Sequence, residues 1–221
     1  MSTKPNSAPP TRAELHAKAL RHLSRKCPVM KGLIARVGPC TLTPMPDDPF
    51  TLLVRCVIAQ QISTKAATSI SAKLTAALGG PPVAREKLAR LTDAHFLSCG
   101  VSAPKRRTLR AVCEHVGANP DLLPGIAERD DDTIRIQLTA IKGIGPWTVD
   151  MILMFGFGRP DVLPVGDLGL RMGVKELYRL RVLPDPKKLT TLTEKWRPYR
   201  SIATWYVWRS RGPVPQSKES A

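Results

Sequence analysis

Residues 138–170 read LTAIKGIGPWTVDMILMFGFGRPDVLPVGDLGL, and this stretch decides the fold. Leu138 and Ile141 close one apolar helical run, and Trp147 to Leu153 open a second. Between them stands Gly143-Ile144-Gly145. Glycine tolerates positive φ and lets a ligand come close to the backbone, and both properties are expected at Gly143 and Gly145. Pro146 suits the first position of the following helix, whose lost N–H would have had no helical acceptor. The remaining amide N–H groups of that first turn face outward, where the helix dipole favours an anion. A phosphate fits such a turn, and Lys142 adds positive charge beside it. The carbonyls of Ile141 and Gly143 are candidate ligands for a monovalent cation bridging to the same phosphate. A grip of this kind reads a nucleic-acid backbone and not its sequence.

Charge supports that partner. The chain has 221 residues, with 34 Lys and Arg against 18 Asp and Glu, a formal net charge of +16. An excess of this size exceeds what solubility needs and predicts a polyanionic partner with salt-sensitive binding. Hydrophobic content is 43 %, as in ordinary globular proteins. No apolar run has the length of a membrane span, and MSTKPNSAPPTR lacks the apolar core of a signal peptide. The expectation is an intracellular protein, in the cytoplasm or nucleoid if bacterial, and a monomer. The five cysteines (Cys27, Cys40, Cys56, Cys99, Cys113) are scattered without a CxxC pair, which argues against zinc or an iron–sulfur cluster. No cofactor is expected beyond the candidate hairpin cation.

Outward from the hairpin, the pattern is helical throughout and convincing alternating strands are absent, so the fold class is all-α. Residues 1–12 and 213–221 read as polar tails, leaving a domain over 13–212 with the hairpin at about 134–157. Leu15, Ala19, Leu20 and Leu23 share a helical face. Asp48-Pro49 reads as a cap and first position of a helix with Phe50, Leu53, Val54, Val57 and Ile58 inward. Ser63 to Leu78 ends at Gly79-Gly80-Pro81. Thr92 and Ser102 cap further helices, the second carrying Lys105, Arg106, Arg107 and Arg110 as a basic face. Asp131 or Asp132 is expected to cap the helix before the hairpin. A helix follows Asp167 to Tyr178, and the last segments run from Thr191 to Arg209 with a break at Pro198.

These motifs together resemble the helix-hairpin-helix DNA glycosylase superfamily. GIGPWTVDM, DVLPVGDLGLR and WRPYRSIATWYVWR are similar to the 3-methyladenine DNA glycosylase II branch, over roughly residues 45–210. The resemblance implies a two-lobed helical fold with the active site between the lobes. The 45 residues before the matching stretch are too few for the N-terminal β-domain of some relatives. It implies that Asp167 is the catalytic carboxylate, stabilising an oxocarbenium-like sugar and orienting or deprotonating water. An N-cap role is the structural alternative for Asp167, and Asp150, Asp161 and Asp185 are weaker catalytic candidates. An alkylated purine leaves as a neutral base, so one carboxylate can suffice. Bifunctional relatives carry a Schiff-base lysine two positions after the second hairpin glycine. Trp147 stands there, which implies a hydrolase without lyase activity.

The target base must leave the stack, and an aromatic pocket suits a cationic base. By resemblance Trp147 and Trp208 line that pocket, with Trp196, Trp205 and Tyr206 in support, and Met151 stands where relatives carry an aromatic residue. Gln61 matches the side chain inserted into the gap left by the flipped base. Gln60 lies beside it, and Ser63 and Lys65 are candidate phosphate contacts. The implied partner is double-stranded DNA containing damaged bases, and the implied reaction is hydrolysis of 3-methyladenine- or 7-methylguanine-type nucleosides in base excision repair. Two alternatives remain at this point: a glycosylase for deaminated or mismatched bases, and a non-catalytic helix-hairpin-helix DNA-binding module.

Overall fold

The computed structural model describes residues 11–212, and among these the regular structure is helical with no strand. The helices group into two units. The middle unit spans residues 43–167, and the end unit joins residues 11–42 to residues 168–212. Residues 1–10 and 213–221, which hold most of the two expected tails, lie outside the described residues.

In the end unit, α1 (Arg12–Lys26) starts at a capping box. The Thr11 N–H donates to Glu14 at 2.8 Å, and the Glu14 N–H donates back to the Thr11 hydroxyl at 3.3 Å. The expected tail therefore gives way to helix at its last two residues, because Thr11 and Glu14 satisfy the orphan amides reciprocally. After Cys27 comes α2 (Pro28–Val37), and its tyrosine partner Tyr206 donates to the Gly38 carbonyl at 2.7 Å. The unit is completed by α10 (Leu168–Leu177), α11 (Pro186–Thr193) and α12 (Arg200–Arg209). A Cβ on Gly173 would lie 2.4 Å from the Val207 side chain, so glycine is what lets α10 and α12 approach. Helix α11 begins earlier than expected. Asp185 accepts the Lys188 N–H at 2.8 Å and Pro186 takes the first position, which assigns Asp185 to capping. Trp196, Trp205 and Tyr206 are core residues at 0–4 % exposure. They fill the core of the end unit.

The middle unit is built around α3 (Pro49–Ala59), which buries side chains all round its axis. Asp48 caps it, accepting from Phe50 and Thr51 N–H groups at 2.9 and 3.0 Å. Around it pack α4 (Thr64–Ala77), the short α5 (Arg85–Ala89) and α6 (Asp93–Ser98), and α7 (Ala103–Ala118). Three of the four cations of the expected basic face of α7 are engaged by the protein itself. Lys105 is buried and donates to the Ile58 carbonyl at 2.7 Å. Arg106 donates to the Val101 carbonyl at 3.2 Å, and Arg110 to Asp93 at 2.7 Å while lying over the Phe96 ring. Only Arg107 of the four is exposed. The physical reason is local: the run sits against the last turn of α3, the Val101 carbonyl beyond α6 and the Asp93 carboxylate at the start of α6, and these acceptors engage the cations.

Helix α8 (Asp131–Thr139) is capped one residue earlier than expected, by Asp130 accepting from Thr133 at 2.8 Å. Asp131 pairs instead with Arg159 at 2.9 Å. Helix α9 (Pro146–Met151) follows the hairpin turn and widens into a π-helical turn, Ile152–Gly156. Arg135 of α8 bonds the buried carboxylate of Asp150 on α9, so Asp150 is a strut of the hairpin and not a candidate base. No helix among the described residues is long and apolar enough to cross a membrane.

Candidate active site

Ile141 and Ile144 are buried, at 1 % and 4 % exposure, and pin the hairpin turn from within. Gly143 has φ +92°, and a Cβ there would lie 2.1 Å from the Thr108 hydroxyl oxygen. Gly145 differs from the expectation. Its φ is −104°, an ordinary extended value, and nothing lies within 4 Å of the place its Cβ would take. Gly143 is thus required by backbone and packing, while Gly145 keeps the outer face open. Helical geometry leaves the N–H groups of Gly145 and Trp147 without acceptors inside α9. Lys142 is exposed on the same turn.

The two carbonyls proposed for a cation are already engaged. Ile141 accepts the Ile144 N–H at 3.0 Å, and Gly143 accepts from the Gln60 carboxamide at 3.1 Å. Each oxygen keeps a second lone pair beside the bond it accepts, and the anion grip rests on amide N–H groups. Among the described residues no group of His, Cys, Asp or Glu is assembled to hold a metal ion. All five cysteines are free thiols. Burial pushes the Cys40, Cys56 and Cys113 thiols up to about 11, 12 and 11, so none is a ready nucleophile.

Asp167 is half-buried and lies immediately before α10. Its backbone N–H closes a turn onto the Pro164 carbonyl at 2.9 Å, with Val162 and Leu163 buried ahead of it as anchors. The indole Nε1–H of Trp147 donates to Asp167 Oδ2 at 2.9 Å. The hairpin residue that replaces an amine therefore holds the carboxylate directly. Met151, four residues beyond Trp147 and so on the same helical face, is buried at 7 % exposure. Trp208 is half-buried on α12 in the end unit. Asp161 lies in the turn between the π-helical segment and Asp167.

The segment after α3 makes a sharp corner. Gln60 ends the helix with ψ 128°, and Gln61 follows in the left-handed region at φ +56°. Gln61 is exposed, as an inserting side chain must be. Ser63 caps α4 by accepting the Ala66 N–H at 3.3 Å, so its hydroxyl serves the helix first, and Lys65 is exposed in the next turn. Gln60 turns back into the protein. Its Nε2 reaches Thr148 Oγ1 at 3.0 Å as well as the Gly143 carbonyl. The sequence carried no signal for this junction, or for Thr108 beneath Gly143. These partners are far apart along the chain and meet only in the folded state.

Two groups thus assemble in the middle unit: a carboxylate fixed by an indole, and a glycine turn tied to an exposed glutamine corner. The first can stabilise a developing positive charge, and the second can hold a phosphodiester and fill a gap in a duplex. The model for the HhH-GPD superfamily base excision DNA repair protein matches residues 54–198. The chain is 32 % identical over 200 residues to the alkylbase DNA glycosidase-like protein mag2 of Schizosaccharomyces pombe, covering 88 % of this chain and 93 % of that one. It is also 32 % identical to DNA-3-methyladenine glycosylase 1 of the same yeast, over 74 % of this chain and 72 % of the relative. The solved structure of the S. pombe 3-methyladenine DNA glycosylase Mag1 with abasic DNA superposes with a TM-score of 0.80 at 31 % identity, over 87 % of this chain and 96 % of that one. The matched segment carries the hairpin, the Gln60–Gln61 corner and Asp167, and the chain belongs to the HhH-GPD superfamily of base excision DNA repair proteins.

Proposed function

We propose that this protein is a monofunctional DNA glycosylase that hydrolyses the N-glycosidic bond of alkylated purines, of the 3-methyladenine and 7-methylguanine type, in double-stranded DNA. The observation that carries the reading is the Trp147–Asp167 contact at 2.9 Å. It leaves a carboxylate for charge stabilisation and puts an indole where a lyase would need an amine. The hairpin turn receives a phosphate on the N–H groups of Gly145 and Trp147, with Ile144 beneath and Lys142 beside it. Gln61 enters the gap as the damaged nucleotide leaves the stack. Trp147 stacks on the extruded base, and the family resemblance assigns Trp208 the same task. As the glycosidic bond lengthens, positive charge grows on the sugar and Asp167 stabilises it. Water adds at the anomeric carbon, and its proton passes to the carboxylate. The alkylated base already carries a positive charge, departs neutral, and needs no general acid.

The buried, apolar Met151 one turn from Trp147 favours this reading over one for deaminated or mismatched bases. A neutral base calls for hydrogen bonds to its edge, which a thioether supplies poorly. The protein acts as a monomer in this proposal. The test is chromatography of bases released from methylated duplex DNA. Free 3-methyladenine or 7-methylguanine is the expected product. Release of uracil or hypoxanthine from deaminated duplexes, with none from methylated DNA, would replace the alkylpurine assignment.

A further inference from the structure

Gln60 has a role that its neighbour Gln61 does not share. The carboxamide nitrogen offers two N–H bonds about 120° apart, and it faces two acceptors: the Gly143 carbonyl at 3.1 Å and Thr148 Oγ1 at 3.0 Å. The Gly143 oxygen can only accept, which fixes the nitrogen on that side. Thr148 is buried at 2 % exposure and sits in the first turn of α9. One side chain from the end of α3 therefore bonds both the turn of the hairpin and the helix that follows it. The corner on the Gln60 side is also held. Lys105 donates to the Ile58 carbonyl at 2.7 Å, closing the last turn of α3, and Ser63 caps α4 immediately after it. Gly143 needs such a tie. At φ +92° its peptide can swing in a way a bulkier residue could not, and the carbonyl bond fixes the plane of the Gly143–Ile144 peptide. That plane in turn sets the direction of the amides that follow.

We propose that Gln60 is a positioning residue for DNA binding: its carboxamide clamps the Gly143 peptide of the hairpin to the α3–α4 corner, so that the turn and Gln61 meet the duplex as one preformed surface. The proposal rests on the DNA-binding part of the function proposed above, and not on the lesion hydrolysed. It removes Gln60 from the DNA contacts and makes it, through a bond spanning 83 residues, the reason that the turn and Gln61 arrive together.

The experiment is a double-mutant cycle on the full chain, with Gln60→Ala, Thr148→Val and the double variant. Fluorescence anisotropy reads their affinity for a duplex carrying a tetrahydrofuran abasic analogue. Thr148 is buried, so its substitution reaches DNA only through the protein, by way of the Gln60 bond or the packing of α9. Gln60→Ala is expected to lose roughly tenfold in affinity, Thr148→Val less because the bond to Gly143 remains, and the double variant no more than Gln60→Ala alone. Thr148→Ser keeps the hydroxyl and is expected to bind like wild type, which separates the lost bond from a folding defect. In the DNA-free protein, hydrogen exchange of the bonded Ile144 and Thr148 amides is expected to quicken by roughly tenfold in Gln60→Ala. An affinity loss confined to Gln60→Ala, with Thr148→Val silent and exchange unchanged, would make Gln60 a direct DNA contact and overturn the proposal. Base release measured in parallel keeps the two questions apart. A wild type that releases no methylated base sinks the glycosylase reading and leaves the exchange result standing.

Discussion

Gly143→Ala puts the most specific demand on the structure. The new methyl would sit 2.1 Å from the Thr108 hydroxyl oxygen, 2.8 Å from its methyl and 2.9 Å from its Cβ. No rotation of Thr108 removes the last contact, so the turn or α7 must move. The backbone adds to this, since φ is +92° and an L side chain there costs about 1–2 kcal/mol. Overpacking of a well-filled site costs about 1–3 kcal/mol more. The sum, about 2–5 kcal/mol, is a large share of the roughly 5–15 kcal/mol that holds a typical domain. Urea denaturation followed by circular dichroism reads it as a lowered midpoint. Thr108→Ala in the same chain removes the two outer contacts and leaves the Cβ contact and the backbone cost, so the double variant should recover part of the loss. Gly145→Ala is the control. Its φ is −104° and its Cβ meets nothing within 4 Å, so stability should stay within about 0.5 kcal/mol of wild type. Any loss of DNA affinity in Gly145→Ala then reports a methyl standing in the path of the phosphate. A Gly143→Ala protein as stable as wild type, or a Gly145→Ala protein that unfolds early, would refute the packing argument.

Three further expectations follow from particular contacts. Trp147→Phe keeps a ring but loses the N–H to Asp167, a bond to a charged group worth about 1.5–3 kcal/mol, so single-turnover base release should slow roughly 10- to 150-fold; an unchanged rate would show that the indole does not position the carboxylate. In salt titrations of DNA affinity, Lys142→Ala should reduce the log–log slope by about 0.9, whereas Lys105→Met and Arg110→Gln should leave it unchanged, because those two cations are spent on Ile58 and on Asp93. A slope that falls with Lys105→Met would return α7 to the DNA surface. Burial, and then the Arg12 charge, hold the His16 pKa below its ordinary 6.5. The unfolded chain therefore takes up the proton first as pH falls below about 6.5, so stability should drop between pH 7.5 and pH 5.5. His16→Gln should lose less over that window, and an equal loss in both proteins would remove His16 as the cause.

The hairpin, its Pro146 start and the cap at Asp48 were legible because each is a local pattern of residue type and spacing. The same local chemistry placed the cap of α8 one residue off, since three successive aspartates compete and the winner is decided by Arg159 drawing Asp131 away. The basic run on α7 shows a different limit. Its charges look like a surface along the chain, and only the fold reveals the carbonyls and Asp93 that consume them. Trp196, Trp205 and Tyr206 are the aromatic counterpart: their residue type suits a pocket, but their depth in the end unit makes them core. Asp167 and Gln61 were reached by likeness to a family, and the structure adds what likeness could not supply, the indole on one and the left-handed backbone of the other.

In the proposed mechanism Asp167 carries the chemistry and not the binding. The direct test is single-turnover release of 3-methyladenine or 7-methylguanine from methylated duplex DNA by wild type and Asp167→Asn, at DNA concentrations giving equal occupancy of both proteins. Asparagine keeps an oxygen for the Trp147 N–H while losing the charge, so the fold and the contact survive. The expected result is unchanged DNA affinity with base release slowed by roughly 100-fold or more. Equal release by the two proteins would contradict the account.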